Sequence, residues 1–364
     1  MKSNQARRWV LANLPTLAPL TGLLAVILLF TALAPSTFAT TDNMRNIATQ
    51  SSILAILATA LTYVVLLGEI DLSFAAVASV SGLTGSLFIA GMPLQLPLAG
   101  AVTFGSGSQV IAVVSALVLG GLFGAVSGVL TSRFGVPSFV GSLAILLVAQ
   151  GLSFYWAQGS SVPATTPIGE SIAQGSLGPF PSIAVFAGVI MLLSYVVLSR
   201  TRLGRYIYMA GDNRQAAILS GVATRRIVIY VFITAGVLSA CAGLLNVGRL
   251  GSAQADTGLT LLLPVFAAVV LGGNSLFGGI GGVPQTLIGV LLYSVLQNGL
   301  DQSDLDVYLK PLVGGLILVA AVVINVLLGR IATMSVVAAA APDAGSKQAV
   351  ARPSALSAQV ADFN

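Results

Sequence analysis

The sequence predicts an all-α polytopic membrane protein of about ten transmembrane helices with broken or re-entrant segments, and three observations predict it. Apolar residues make up 56% of the 364 positions and charged residues only 7%, with a mean hydropathy of +0.97; a chain so composed belongs to the membrane class. The apolar residues fall in long runs, most reaching the ~20 positions a helix needs to cross ~30 Å of hydrocarbon. The basic residues sort onto alternate connections, as they do in chains whose orientation they fix.

The elements follow in order. Residues 1–13, with Lys2, Arg7 and Arg8, read as a cytoplasmic N-terminus before an apolar run at about 14–34. Ala32-Leu33-Ala34 resembles a signal-peptide cleavage site, but the run is long for a signal sequence and Pro35 follows directly, so the run reads as an uncleaved first span. Further runs lie near 50–68, 72–90, 109–130, 136–157, 180–199, 227–248, 257–275, 280–299 and 308–330, completing a transmembrane domain over 14–330. Residues 331–364 read as a disordered cytoplasmic tail, rich in Ala and Ser and without apolar period. Between the second and third runs Gly68-Glu69-Ile70-Asp71 leaves either a tight cytoplasmic turn or a helix break within membrane depth. The Pro- and Gly-containing stretch 158–179 reads as an external loop, and Gly120, Gly124 and Gly128 mark a helix face built for close contact. A second Gly-rich stretch, LGGNSLFGGIGGV at 271–283, predicts irregular backbone at a cytoplasmic turn or lining a cavity.

With an internal N-terminus and ten crossings, thirteen of the sixteen basic residues fall inside and only Arg45, Arg249 and Lys310 outside. Six of the thirteen lie in residues 200–226, the longest polar segment between two apolar runs. There Asp212 followed by Gln215 reads as a capping box, Asn213 to Ser220 as about two helical turns, and Gly221 as the residue that ends them. So short a helix is marginal alone in water, which suggests an element docked on another protein; the alternative is a basic loop that only fixes orientation.

The composition also excludes. Histidine is absent, which removes His metal sites and Ser-His triads. None of the three lysines stands in a phosphate-loop context, so no nucleotide hydrolysis by that route is expected of the chain itself. Catalytic residues, metal ligands and cofactors are not expected, nor is a nucleic-acid partner, and Cys241 is alone.

Three stretches together resemble the signature regions of the ribose/xylose-type sugar permeases of bacterial ABC importers: GEIDLSFAAVASVSG at 68–82, TRLGRYIYMAGDNRQAAILSGV at 201–222 and VVLGGNSLFGGIGGVPQTLIGVLLYSVLQNGL at 269–300. The resemblance runs in order over most of 45–330. It implies a transmembrane importer subunit in the bacterial inner membrane with both termini cytoplasmic, served by cytoplasmic ABC ATPase subunits, a periplasmic sugar-binding protein and a second permease subunit, identical or not. It implies that 200–226 is the coupling loop, with Gly204, Arg205, Asp212, Asn213, Gln215, Ala216, Ala217 and Gly221 facing the ATPase. Gln215 replaces the family's usual glutamate, and Glu69 stands where the family has a second glycine.

Asp71, Ser73, Asn274, Ser275 and Asn298 are the candidate pathway or helix-break residues. Asp71 has a second reading as a cap for the following helix, and Asn298 as a partner between helices. A secondary transporter or channel for a small polar solute remains the alternative function.

Overall fold

The computed structural model describes residues 19–96, 100–102, 107–303, 305–310, 312–317, 319 and 323. The N-terminal segment 1–13, the tail 331–364 and most of the run at 308–330 lie outside these residues. The chain is built on α1 (Pro19–Leu33), α2 (Thr41–Leu66), α3 (Phe74–Ala90), α4 (Gln109–Ser132), α5 (Ser138–Ala157), α6 (Pro167–Gln174), α7 (Ser182–Arg200), α8 (Arg202–Asp212), α9 (Arg214–Leu219), α10 (Thr224–Leu250), α11 (Leu259–Leu271) and α12 (Val283–Asp301). Two short antiparallel hairpins complete it, β1 (Leu94–Leu96) with β2 (Gly100–Val102) and β3 (Ser176–Leu177) with β4 (Phe180–Pro181).

Among the described residues, α2, α4, α5, α7 and α10 are long and apolar enough to cross a membrane, while α1, α3 and α11 are shorter apolar helices. The thirteen residues of α11 rise only ~20 Å, and the Gly-rich segment follows it directly. Burial sorts the spans. In α2, 89% of the apolar window is enclosed by protein, against 28% in α4 and α7, so α2 is the central helix and the outer pair presents apolar side chains to surrounding lipid.

Helix contact depends on missing side chains. A Cβ on Gly120 would stand 2.5 Å from the Gly236 carbonyl oxygen, and one on Gly124 2.1 Å from that of Phe232; the glycine face of α4 therefore lies on the backbone of α10. Such small-residue seams let helices meet where lipid offers no hydrophobic drive to association.

The segment 158–179 is more ordered than its composition predicts. Within it Thr166 caps α6 by accepting from the Gly169 amide at 3.1 Å, with Pro167 in the first turn. Gln174 Nε2 then donates to the Gly248 carbonyl at 2.9 Å, holding α6 against α10. Thr-Pro was a helix-start signal here, and its loop-like neighbours masked it.

The connections gather at two ends. At the α6 end, Val162 and Ala253 exchange backbone hydrogen bonds, and Arg45 donates to the Pro179 and Gly178 carbonyls at 2.9 and 3.3 Å. At the α8 end lie 67–73, 133–137, 201–223 and 272–282, linked by the contacts described next.

Candidate functional site

The three signature stretches, at 68–82, 201–222 and 269–300, meet at the C-terminal end of α2. The helix stops at Leu66, and Gly68 turns away with φ 73. The free Leu66 carbonyl accepts from the Gly279 amide at 3.0 Å, which seats the Gly-rich segment on the helix end. α8 crosses the same carbonyl: a Cβ on Gly211 would lie 1.8 Å from it. Tyr208 Oη, one turn earlier on α8, donates to the Gly281 carbonyl at 2.9 Å. Beyond the junction, Arg214 Nη1 of α9 pairs with Glu69 Oε1 at 2.7 Å.

The local sequence explains each piece. Thr201 accepts from the Gly204 amide at 3.3 Å and so caps α8, and buried Gly204 leaves room for the Leu198 carbonyl. Asn213 is extended, at φ −150 and ψ 98, and its side chain accepts from the Ala216 amide at 2.9 Å to start α9. The sequence reading placed this cap at Asp212, with Gln215 as its partner. Asp212 instead ends α8, a helix that reading did not contain, so its backbone is helical and the cap falls one residue later. Gly221, at φ 80, closes α9 in the left-handed conformation expected of it. Ala217 is buried, while Arg205, Asp212, Asn213, Gln215, Ala216 and Gly221 are exposed on the same end of the molecule.

Asn274 organises the Gly-rich segment. Its Nδ2 donates to the Val269 carbonyl at 2.8 Å and Thr286 Oγ1 at 3.1 Å, and its Oδ1 accepts from the Gly282 amide at 2.7 Å. Ser275 Oγ accepts from the Phe277 amide at 3.2 Å. Both side chains hold backbone that glycine alone allows, since Gly273, Gly278, Gly279, Gly281 and Gly282 all have φ between 71 and 153. Asp71, only 2% exposed, accepts through Oδ1 from the Ser73 amide at 2.7 Å and the Ser73 hydroxyl at 2.6 Å, just before α3. The amides of Ile70 and Leu72 donate to Ser138 and Ser142 of α5 at 3.0 Å each, so the break leaves its backbone satisfied by protein.

Asn298 does not join this cluster. It lies at the α6 end, where its Oδ1 accepts from Asn43 and Gln302 at 2.9 Å each beside an open cavity of about 350 Å³. A second open cavity of about 400 Å³ there is lined by Arg45, Gln174 and Arg249. Deeper between α2, α3 and α10, Ser79, Asn246, Gln254 and Thr257 border a small cavity of about 20 Å³, room for about one water.

Sequence reasoning missed Glu69, Tyr208, Gly211 and Arg214 as members of the junction. One signal was available: Glu69 sits in a break whose nearest polar counterpart, at the same end, is a segment with six arginines.

A family described as "Branched-chain amino acid transport system / permease component" matches residues 43–322. The ribose import permease protein RbsC of Escherichia coli (strain K12) is 35% identical over 312 residues, covering 84% of this chain and 92% of that protein. The D-allose transport system permease protein AlsC of the same strain is 28% identical, over 84% of this chain and 90% of its own length. The L-arabinose ABC transporter permease protein AraH of Azospirillum brasilense is 28% identical, over 79% of this chain and 81% of its own. No solved structure matches the chain. The chain belongs to the branched-chain amino acid transport system / permease component family.

Proposed function

We propose that the chain is the transmembrane subunit of an ATP-driven ABC importer that moves a monosaccharide or related polyol across the bacterial inner membrane. The observation that carries this reading is the likeness, across 84% of the chain, to a ribose import permease, with D-allose and L-arabinose permeases among the other relatives. ATP hydrolysis belongs to separate cytoplasmic ATPase subunits docked on exposed Arg205, Asp212, Asn213, Gln215, Ala216 and Gly221, while buried Gly204 and Ala217 seat α8 and α9 beneath that surface. A binding protein delivers the sugar on the opposite face, and a second permease subunit completes the channel. The α8 end faces the cytoplasm in this reading, because the basic residues collect there.

The geometry supports the division of labour. α9 exposes all but one of its residues and is tied at its base to central α2, so a partner gripping α9 has a lever on the core. The cavity beside α2 offers about 20 Å³, far below what a sugar occupies, so transport requires the spans to rearrange. Asp71, Ser73, Asn274 and Ser275 shape the helix breaks on which such a rearrangement turns, and Asn298 holds α2 to α12 at the outer mouth.

Co-expression with candidate ABC ATPase and sugar-binding proteins tests the assignment. The ATPase is expected to co-purify with the chain in detergent, and its hydrolysis to rise when sugar-loaded binding protein is added. A chain that transports the sugar alone and retains no ATPase is a secondary transporter instead.

A further inference from the structure

The Glu69–Arg214 pair is the sole salt bridge among the described residues. It joins the element that the proposed function gives to the ATPase to the helix break at the base of the central span. Arg214 is the first residue of α9, and its side chain is 47% exposed. Glu69 is 11% exposed and belongs to the connection 67–73 between the end of α2 and the start of α3. Nothing in the folding of α9 itself requires the contact: Asn213 caps the helix and Gly221 ends it.

The surroundings give the pair leverage. α8 reaches α2 by van der Waals contact at Gly211 and by the Tyr208 hydroxyl on the Gly-rich segment, both in the body of that helix. α9 is more lightly held, with Ala217 as its one buried residue. Asn213 stands extended between α8 and α9, a one-residue joint that separates the two helices. The described contacts that cross from α9 to the membrane core are then few: the buried Ala217 and the ion pair. A carboxylate and a guanidinium hydrogen-bonded at this distance form a directional link, whereas one buried methyl can slide. The connected backbone continues the link in both directions. Ile70 and Leu72 are bonded to Ser138 and Ser142 at the start of α5, and Asp71 to Ser73 at the start of α3. A displacement of Glu69 is thus passed to α2, α3 and α5 together.

We infer that Glu69 and Arg214 form a clasp that transmits movement of α9 to the break between α2 and α3, so that both are positioning residues for coupling ATP hydrolysis to transport. This rests on the proposed importer function. The clasp is not required for the ATPase to dock, because docking uses the outward face of α9 and Arg214 is held inward toward Glu69.

The test uses the full complex of permease, ATPase and binding protein in liposomes, with Glu69→Gln, Arg214→Gln and the double variant Glu69→Gln/Arg214→Gln. Three quantities are read: ATPase retained on the purified permease, ATP hydrolysed, and sugar accumulated. Each single variant is expected to keep its ATPase but to lower the sugar moved per ATP by at least about fivefold, the lower end of a typical coupling effect between sites. The double variant is expected to match the single ones, because either change alone breaks the same link. Unchanged sugar-to-ATP ratios, or losses that multiply in the double variant, overturn the clasp while leaving the importer assignment standing. Loss of the ATPase from the single variants also overturns it, since the pair would then be part of the docking surface. If the unaltered chain retains no ATPase, the importer reading itself falls and the clasp with it.

Discussion

Gly211 is the residue on which the junction turns, since a Cβ there would meet the Leu66 carbonyl oxygen at 1.8 Å. Gly211→Ala is therefore expected to push α8 off the end of α2 and lower stability by about 1–3 kcal/mol, the usual range for overpacking. Gly188→Ala on α7, where a Cβ meets nothing within 4 Å, is expected to be neutral or mildly stabilising. Thermal melting in detergent separates the two, and equal midpoints would remove the close contact from the account. At Asp71 the acceptor matters more than the charge. Asp71→Asn keeps an oxygen for the Ser73 amide and hydroxyl and is expected to retain most transport, whereas Asp71→Leu leaves a buried donor unpaired at about 1–3 kcal/mol. Loss of transport in a normally expressed Asp71→Asn protein would assign the charge itself to the pathway. Residues such as Gly211 were illegible in the sequence because a glycine needed for contact and one that ends a helix are the same letter.

The elements divide by how local their causes are. α9 was legible because its start and its stop are written within ten consecutive residues, although its cap falls one position later than expected and the helix, Arg214–Leu219, is shorter than the 213–220 expected. α8 was not legible: Gly204 and Gly211, weak helix formers by themselves, are packing positions inside a helix. The Gly-rich segment was legible as irregular backbone, and its seat on α2 was not, because nothing local names the Leu66 carbonyl as its partner. Gly221 offers the element-level test. Its φ of 80 strains any residue with a Cβ by about 1–2 kcal/mol, and the space around it is open, so Gly221→Asp is expected to insert normally while adding a carboxylate to the proposed docking face. Binding-protein-stimulated ATP hydrolysis should then fail. Gly159→Asp is the matched control, with φ 74 and the same open surroundings at the opposite end; similar behaviour of the two variants would detach coupling from α9.

Across the whole molecule, the apolar runs were enough to predict the long apolar helices among the described residues, while α6 and α8 went unpredicted. What they could not supply is which connections touch. The encounter of 66–71, 208–214 and 272–282 is a long-range packing result, and in isolation each stretch has only weak local preferences. The proposed orientation is checked by replacing Cys241 and placing single cysteines at Ser176 and Asn213. An impermeant thiol reagent added to intact cells is expected to modify the first and spare the second, and the reverse would invert the topology. The central claim, that this permease passes a sugar only when a partner spends ATP, is tested most directly in liposomes holding the chain, its ATPase and its binding protein. Accumulation of labelled monosaccharide is expected with ATP and loaded binding protein together, and not when either is withheld. Uptake that proceeds undiminished without nucleotide would contradict it.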